Sequence, residues 1–511
     1  MEQAQWVDPA LFSAFVSIIF FFLGMFLGRI SLGVGKGAAP RSPSSTEWPD
    51  GPPKLPIIGN LHQLNKGGEL VHHKLAKLAQ SYDRAMTIWV GSWGPMIVVS
   101  DADLAWEVLV TKSPDFAGRV LSKLSHLFNA DYNTVVAYDA GPQWQSLRRG
   151  LQHGPLGPAH VSAQARFHEE DMKLLVSDMM RAAKKGGNNG VVEPLAYVRR
   201  ATIRFLSRLC FGEAFNDEAF VEGMDEAVEE TIRATGHARI LDAFYFTRHL
   251  PIIRRSFMNT VAAKKKIESL VRPLLSRPAP PGSYLHFLLS TDAPESMIIF
   301  RIFEVYLLGV DSTASTTTWA LAFLVSNQQA QEKLHNELAQ YCASQNNQNI
   351  KAEDVGKLSY LLGVVKETMR MKPIAPLAVP HKTLKETMLD GKRVAAGTTV
   401  VVNLYAVHYN PKLWPEPEQF RPERFVIGAS GGNGGGSSEY MLQSYLPFGG
   451  GMRACAGMEV GKLQVAMVVA NLVMSFKWLP EAEGKMPDLA EDMTFVLMMK
   501  KPLAAKIVPR A

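Results

Sequence analysis

Near the C-terminal end, residues 448–457 read FGGGMRACAG, and a proline-free apolar stretch, residues 458–476, follows at once. Each residue type in this run has a chemical use. The glycines at 449, 450, 451 and 457 allow backbone shapes that other residues resist, so the chain can loop around a side chain. Cys455 stands immediately before the expected helix, where the N-terminal dipole favours a thiolate over a thiol. A thiolate is the ligand that pushes electron density through a haem iron toward bound dioxygen. Loop amides can hydrogen-bond such a sulfur and tune it. Arg453, two residues earlier, is suited to neutralise a porphyrin carboxylate.

Every fixed position of the pattern Phe-x-x-Gly-x-Arg-x-Cys-x-Gly is met, and the run resembles the haem-binding loop of the cytochrome P450 family. The family often has proline after the cysteine; Ala456 stands there instead. Further motifs fall in the family's order. Glu367 and Arg370 form Glu-x-x-Arg, a spacing that puts both on one helix face. Pro422-Glu423-Arg424-Phe425 supplies the arginine that in the family joins this pair, and the resemblance gives these three charged residues a structural role. Trp144 and Arg148 form Trp-x-x-x-Arg, again one face. The resemblance implies that Trp144, Arg148, His381, Phe448 and Arg453 contact haem b, with Cys455 as the iron ligand.

Residues 294–327 form a long apolar-rich run with no internal proline, and within it 308–313 read LGVDST. Wholly helical, the run would be roughly 50 Å long. A carboxylate next to a hydroxyl can pass protons from solvent into a dry pocket. The resemblance assigns that relay to Asp311 and Ser312 and has Gly309 leave room for oxygen beside the iron. Ser312 replaces the family's usual threonine and loses the methyl that restricts its rotamer. Leu308 replaces a small residue and should crowd the space over the haem.

Elsewhere, helical patterns dominate, including an amphipathic segment at 353–372. Short strand-like pieces occur at 85–90, 96–99, 398–403 and the C-terminal tail, and a Gly/Ser tract at 428–438 reads as a surface loop. The expected class is mainly α with small β-sheets, the cytochrome P450 fold. At the front, residues 11–28 carry no charge. Extended to residue 30, they are long enough to cross a bilayer. Acidic residues precede this run and basic ones follow it, which favours an uncleaved single-pass anchor over a signal peptide. It also puts the body in the cytosol. The expected division is an anchor at 1–30, a linker and proline-rich hinge at 31–61, and a catalytic domain at 62–511.

The chain has 511 residues, 47% hydrophobic and 20% charged, which suits a folded protein. Three cysteines cannot build a disulfide framework, in keeping with reducing cytosol. The net charge of +6 is mild, and no basic stripe with interleaved aromatics speaks for nucleic acid. The Gly-x-Ser-x-Gly match at 428–432 sits in a glycine tract, not at a strand-to-helix elbow. No dinucleotide-binding fingerprint is apparent, so electrons from NADPH should arrive through a separate partner, NADPH-cytochrome P450 reductase. The layout resembles plant microsomal P450s, which implies the endoplasmic reticulum membrane and contact with its lipid.

Among plant P450s, the LLGVDSTASTTTWA stretch at 307–320 and Ala456 resemble the methylenedioxy-bridge-forming family of alkaloid and lignan pathways. That resemblance implies oxidation of a small aromatic substrate, an ortho-methoxyphenol, with closure of a dioxolane ring. The expectation is a lignan, matairesinol. A benzylisoquinoline alkaloid, or hydroxylation or O-demethylation on the same fold, are the enzymatic alternatives, and a haem-binding membrane protein is the non-enzymatic one. By family position the pocket walls include Leu308, Leu377, Ala378, Val379 and Phe495.

Overall fold

In a computed structural model, the described residues are 48–510 except 65, 121–133, 158–159, 162–164, 186–189, 236–243, 245–246, 248–249, 348 and 427–442. The expected anchor, most of the linker, and the Gly/Ser tract with its Gly-x-Ser-x-Gly match lie outside them.

The longer helices are α1 (Val71–Ala79), α2 (Pro142–His153), α3 (Ala165–Lys185), α4 (Pro194–Phe211) and α5 (Glu218–Thr235). They continue with α6 (Pro251–Val271), α7 (Glu295–Ser326), α8 (Gln328–Gln345), α9 (Ser359–Met371) and α10 (Met458–Ser475). Helices α7 and α10 are dominated by apolar residues, a composition that belongs in the middle of a domain. Both are indeed central. Residues 465–473 of α10 lie buried in one cluster with Leu321, Leu324 and Val325 of α7, Leu334 of α8 and Leu361 of α9. Among the described residues α10 is the one helix long and apolar enough to cross a membrane, yet most of it is occupied with this core.

The small β portion positions the site. Strands β1 (Ala85–Trp89), β2 (Pro95–Val99), β3 (Gly118–Arg119), β5 (His381–Lys382) and β8 (Thr399–Val402) form a sheet in the order β1-β2-β8-β5-β3. Its last pairing sets Arg119 opposite His381. A second sheet joins β4 (Val191–Val192), β12 (Ala505–Pro509) and β9 (Phe476–Pro480), and β6 (Thr387–Leu389) pairs with β7 (Lys392–Val394). A last hairpin joins β10 (Glu491–Met493) to β11 (Leu497–Met499).

Two departures from the sequence reading have local causes. The segment expected as one helix over 353–372 is a 3-10 turn, Ala352–Lys357, followed by α9. The break falls at Leu358, and Glu337 of α8 supplies the cap, accepting from the backbone N–H of Tyr360 (2.7 Å) and Leu361 (2.9 Å). A side chain from another helix does what no local residue announces. The described part of the proline-rich stretch is strapped along β1. Asn60 donates to the carbonyls of Pro52 and Pro53 and accepts from Trp89 N–H. Gly51 passes so close to Thr87 that a Cβ would stand 1.9 Å from its carbonyl oxygen.

Candidate active site

The cysteine loop is built by close backbone approach. Gly451 sits at φ +56°, and a Cβ there would lie 2.3 Å from the carbonyl oxygen of Leu109. Only glycine fits both constraints. Gly449 is also left-handed, at φ +67°. Gly457 behaves differently. Its φ is −93°, and an added Cβ would meet nothing within 4 Å. Its contribution is its N–H, which reaches the Cys455 sulfur. The loop is closed by Cys455 N–H donating to the carbonyl of Phe448 (2.9 Å).

Cys455 is open on one side while protein packs closely around the rest. Desolvation raises its thiol pKa; the Gly457 N–H and the Arg148 guanidinium pull it down. Arg148, on α2, donates to the carbonyl of Ala454 (2.6 Å). Trp144, one turn earlier, is buried. Its indole N–H donates to Val135 O (3.1 Å), and its ring lies under Arg453.

Around this sulfur stand cations without an adequate anion. Arg453 donates to the carbonyls of Ala117 (2.8 Å), Val135 (3.4 Å) and Tyr138. Arg119 donates to the carbonyl of Val379 (3.0 Å), and its buried Nε has no partner. Burial and the nearness of Arg453 and Arg148 push Arg119 down to about 9. Burial likewise brings Arg453 to about 10, against the opposing pull of Asp139. His381, bonded through Nδ1 to Phe116 O (2.8 Å), is held down at about 3 by burial and by Arg119 and Arg453. Asp139 is the carboxylate at hand, and its oxygens already accept from the backbone N–H of Arg119 and from Lys382. A set of mutually repelling, largely buried arginines with an orphaned guanidinium nitrogen fits a dianionic ligand. The loop thiol beside them fits a metal centre carried by that ligand. Haem, with two propionates and an iron, meets both demands.

The sequence reading missed Arg119. It is one arginine in a two-residue strand, brought to His381 by a pairing 262 positions apart in the chain numbering (381 − 119).

Helix α7 presents two faces here. Leu308, 39% exposed, and the partly buried Ser312 lie one turn apart on an otherwise buried helix. The Ser312 hydroxyl donates to Leu308 O (2.6 Å). Val460, in the first turns of α10, shares an apolar cluster with Val310 and Leu307, so this part of α7 and the cysteine helix meet. Asp311 is engaged by α4. It is 3% exposed and ion-paired with Arg199 of α4, whose Nε also donates to Asp225 of α5 (2.7 Å). Gly309, expected to leave room beside the iron, packs on α4. A Cβ on it would come within 2.9 Å of Leu206 of α4, so the glycine serves close packing of α7 on α4.

A buried carboxylate inside the apolar run, Glu304, was also missed. It accepts from the backbone N–H groups of Val135 (3.0 Å) and Val136 (2.6 Å). That fixes the segment whose carbonyls receive Trp144 and Arg453.

The remaining expected pocket residues are distributed around these elements. Leu377 packs with Met86 and Ile88 of β1, and Ala378 takes φ +51°. Val379 offers its carbonyl to Arg119. Phe495, 38% exposed, tips the β10–β11 hairpin, which is pinned to α7 by Ser315 Oγ donating to Leu497 O (2.7 Å).

On the far side of α9, Glu367 and Arg370 are wholly buried. Arg370 grips the carboxylate through Nε (2.7 Å) and Nη2 (2.8 Å), and Arg424 adds a third bond (3.1 Å).

A family model described as Cytochrome P450 matches residues 49–507. (S)-canadine synthase of Coptis japonica is 52% identical over 464 residues, covering 91% of this chain and 93% of that protein. Pluviatolide synthase of Sinopodophyllum hexandrum is 47% identical over 470 residues, covering 92% of this chain and 94% of that protein. (S)-canadine synthase is the more similar of the two. A solved zebra fish cytochrome P450, in a structure with progesterone, aligns with a TM-score of 0.71 at 24% identity. It covers 86% of this chain and 99% of that one. That likeness speaks for the fold.

Proposed function

Because this chain belongs to the cytochrome P450 family of haem-dependent monooxygenases, we propose that it closes a methylenedioxy bridge on an ortho-methoxyphenol. Cys455 would hold the haem iron, and Arg119, Arg148, Arg453 and His381 would hold its propionates. The observation that carries the haem assignment is one turn of α2: Arg148 donates to the carbonyl beside Cys455 (2.6 Å), and Trp144 packs under Arg453. The cation cluster and the thiol are therefore one site. When bound, haem supplies reductive activation of dioxygen and oxidation of the methoxy carbon, chemistry no side chain can perform. Members of the family draw their electrons from NADPH through a separate reductase.

The chain's own groups supply protons and position. Asp311 holds a proton-accepting carboxylate in a buried place, linked through Arg199 to the more exposed Asp225. Ser312 follows it in sequence, with a hydroxyl bonded back to the Leu308 carbonyl and able to pass a proton inward. In the net reaction one C–H and one O–H bond of the substrate break and a C–O bond forms. Dioxygen takes two electrons from the substrate and two from NADPH and leaves as two waters. Ring closure needs the methoxy carbon and the phenol oxygen held in line, a demand on position more than on reactivity. Leu308, Leu377, Ala378, Val379 and Phe495 are assigned to that apolar clamp. We place the body on the cytosolic face of the endoplasmic reticulum, tethered by residues 11–30.

The similarity to (S)-canadine synthase favours an alkaloid substrate as strongly as the lignan expected from sequence. The test is incubation of the haem-loaded chain with reductase, NADPH and either matairesinol or a tetrahydroprotoberberine methoxyphenol. Bridge closure gives a product two hydrogens lighter than the substrate. A product one methylene lighter or one oxygen heavier, with both substrates, would refute the proposal. Leu308→Ala should raise the demethylated or hydroxylated share, because a looser methyl escapes capture.

A further inference from the structure

The joint between α1 and the base of the β10–β11 hairpin collects groups that the reaction above does not use. His72 and His73 stand side by side on α1, and both reach the same carboxylate oxygen. His72 Nε2 is 3.2 Å and His73 Nε2 3.0 Å from Glu491 Oε2. The other oxygen, Oε1, is held by Lys372 Nζ at 2.6 Å. The three ligand atoms lie within 4.8 Å of one another. Tyr405 packs against both imidazole rings, with centroids 5.3 and 4.4 Å away. Asn403 holds the His72 carbonyl (3.0 Å).

From this arrangement we propose that His72, His73 and Glu491 form a divalent-cation site of the zinc class. A tetrahedral ion with bonds of about 2.0 Å has ligand-to-ligand edges of about 3.3 Å. The two imidazole-to-carboxylate separations, 3.2 and 3.0 Å, already match those edges. Two imidazoles and one carboxylate are a donor set that zinc accepts, with water in the fourth position. Lys372 occupies the carboxylate's second oxygen, as outer groups do when they orient a ligand, and it leaves Oε2 to the imidazoles. His72 is buried and His73 a quarter exposed, so an ion reaches the site from the His73 side. The bound ion would staple α1 to a hairpin 419 positions away in sequence, the hairpin whose tip carries Phe495.

The experiment titrates Zn2+ alone into the haem-loaded full chain against a chromophoric zinc chelator at neutral pH. It is repeated with His73→Ala, His73→Asn and Glu491→Gln, each checked for haem content. The wild type should hold one more equivalent of zinc than any variant, or bind it at least about tenfold more tightly. Zinc should also slow amide hydrogen exchange over residues 491–499 in the wild type and leave it unchanged in the variants. Zinc binding and exchange that are the same in wild type and in haem-replete variants would overturn the proposal, and so would a wild type that binds no zinc. Either result would leave three side chains joined by hydrogen bonds alone.

Discussion

Replacing Glu367 with alanine tests the packing behind the site. Glu367 and Arg370 are both 0% exposed. The carboxylate accepts two bonds from Arg370, one from Arg424 and one from the backbone N–H of Arg421 (3.1 Å). Its removal leaves the Arg370 charge buried, with only the carbonyls of His408 (2.9 Å) and Pro417 (2.8 Å) for partners. Breaking a buried pair from one side costs about 3–5 kcal/mol. Against a total domain stability of about 5–15 kcal/mol, that is a severe loss, lowering the folded-to-unfolded ratio by about two orders of magnitude or more. Glu367→Gln, which keeps the shape and one carbonyl acceptor, should fall between. The assay is haem per polypeptide after expression, together with the urea midpoint of the purified protein. Glu367→Ala with wild-type haem content and an unchanged midpoint would refute the reasoning.

Other outcomes follow from the same geometry. Asp311→Asn should lower substrate turnover by about 10²–10⁴-fold with haem content unchanged, since it removes the buried proton carrier; stopped-flow and product assays check this. Glu304→Ala frees the backbone N–H groups of Val135 and Val136, and should cost about 1–3 kcal/mol per group left unsatisfied. Haem retention on dilution should fall with it, because Trp144 and Arg453 anchor on that segment. Acid should unfold the protein early. Burial and Arg370 hold His408 at about 3, and burial and Arg208 hold His168 at about 4. Both stay neutral in the fold while the unfolded chain takes up protons below about pH 6.5. Stability therefore falls as pH drops from there toward the folded values, by about 1.4 kcal/mol per pH unit for each histidine. His408→Gln should make urea-unfolding free energy less steep between about pH 6 and pH 4 by roughly one proton's worth.

What could be seen in the sequence was what lies close together in it. The Cys455 loop, the Glu367 and Arg370 spacing, and the Trp144 and Arg148 spacing are local patterns, and each forms a local contact. The apolar-rich run at 294–327 is likewise legible locally, and it forms α7 in the buried interior. The remainder depends on partners from distant segments. Arg119 joins the cation cluster only through the β3–β5 pairing. Arg199 and Asp225 meet Asp311 because three helices converge. Glu337 caps α9 from a neighbouring helix, so the start of α9 carried no local signal. Gly309 carries a packing role the motif did not announce: a Cβ on it would meet Leu206 of α4 at 2.9 Å.

The central claim is a sulfur bond from Cys455 to haem iron. Its most direct measurement is the difference spectrum of the dithionite-reduced protein with and without carbon monoxide, run beside Cys455→Ala. The wild type should give the red-shifted Soret band of thiolate ligation, and the variant should lose it. A wild type lacking that band, or a variant that keeps it, would contradict the account.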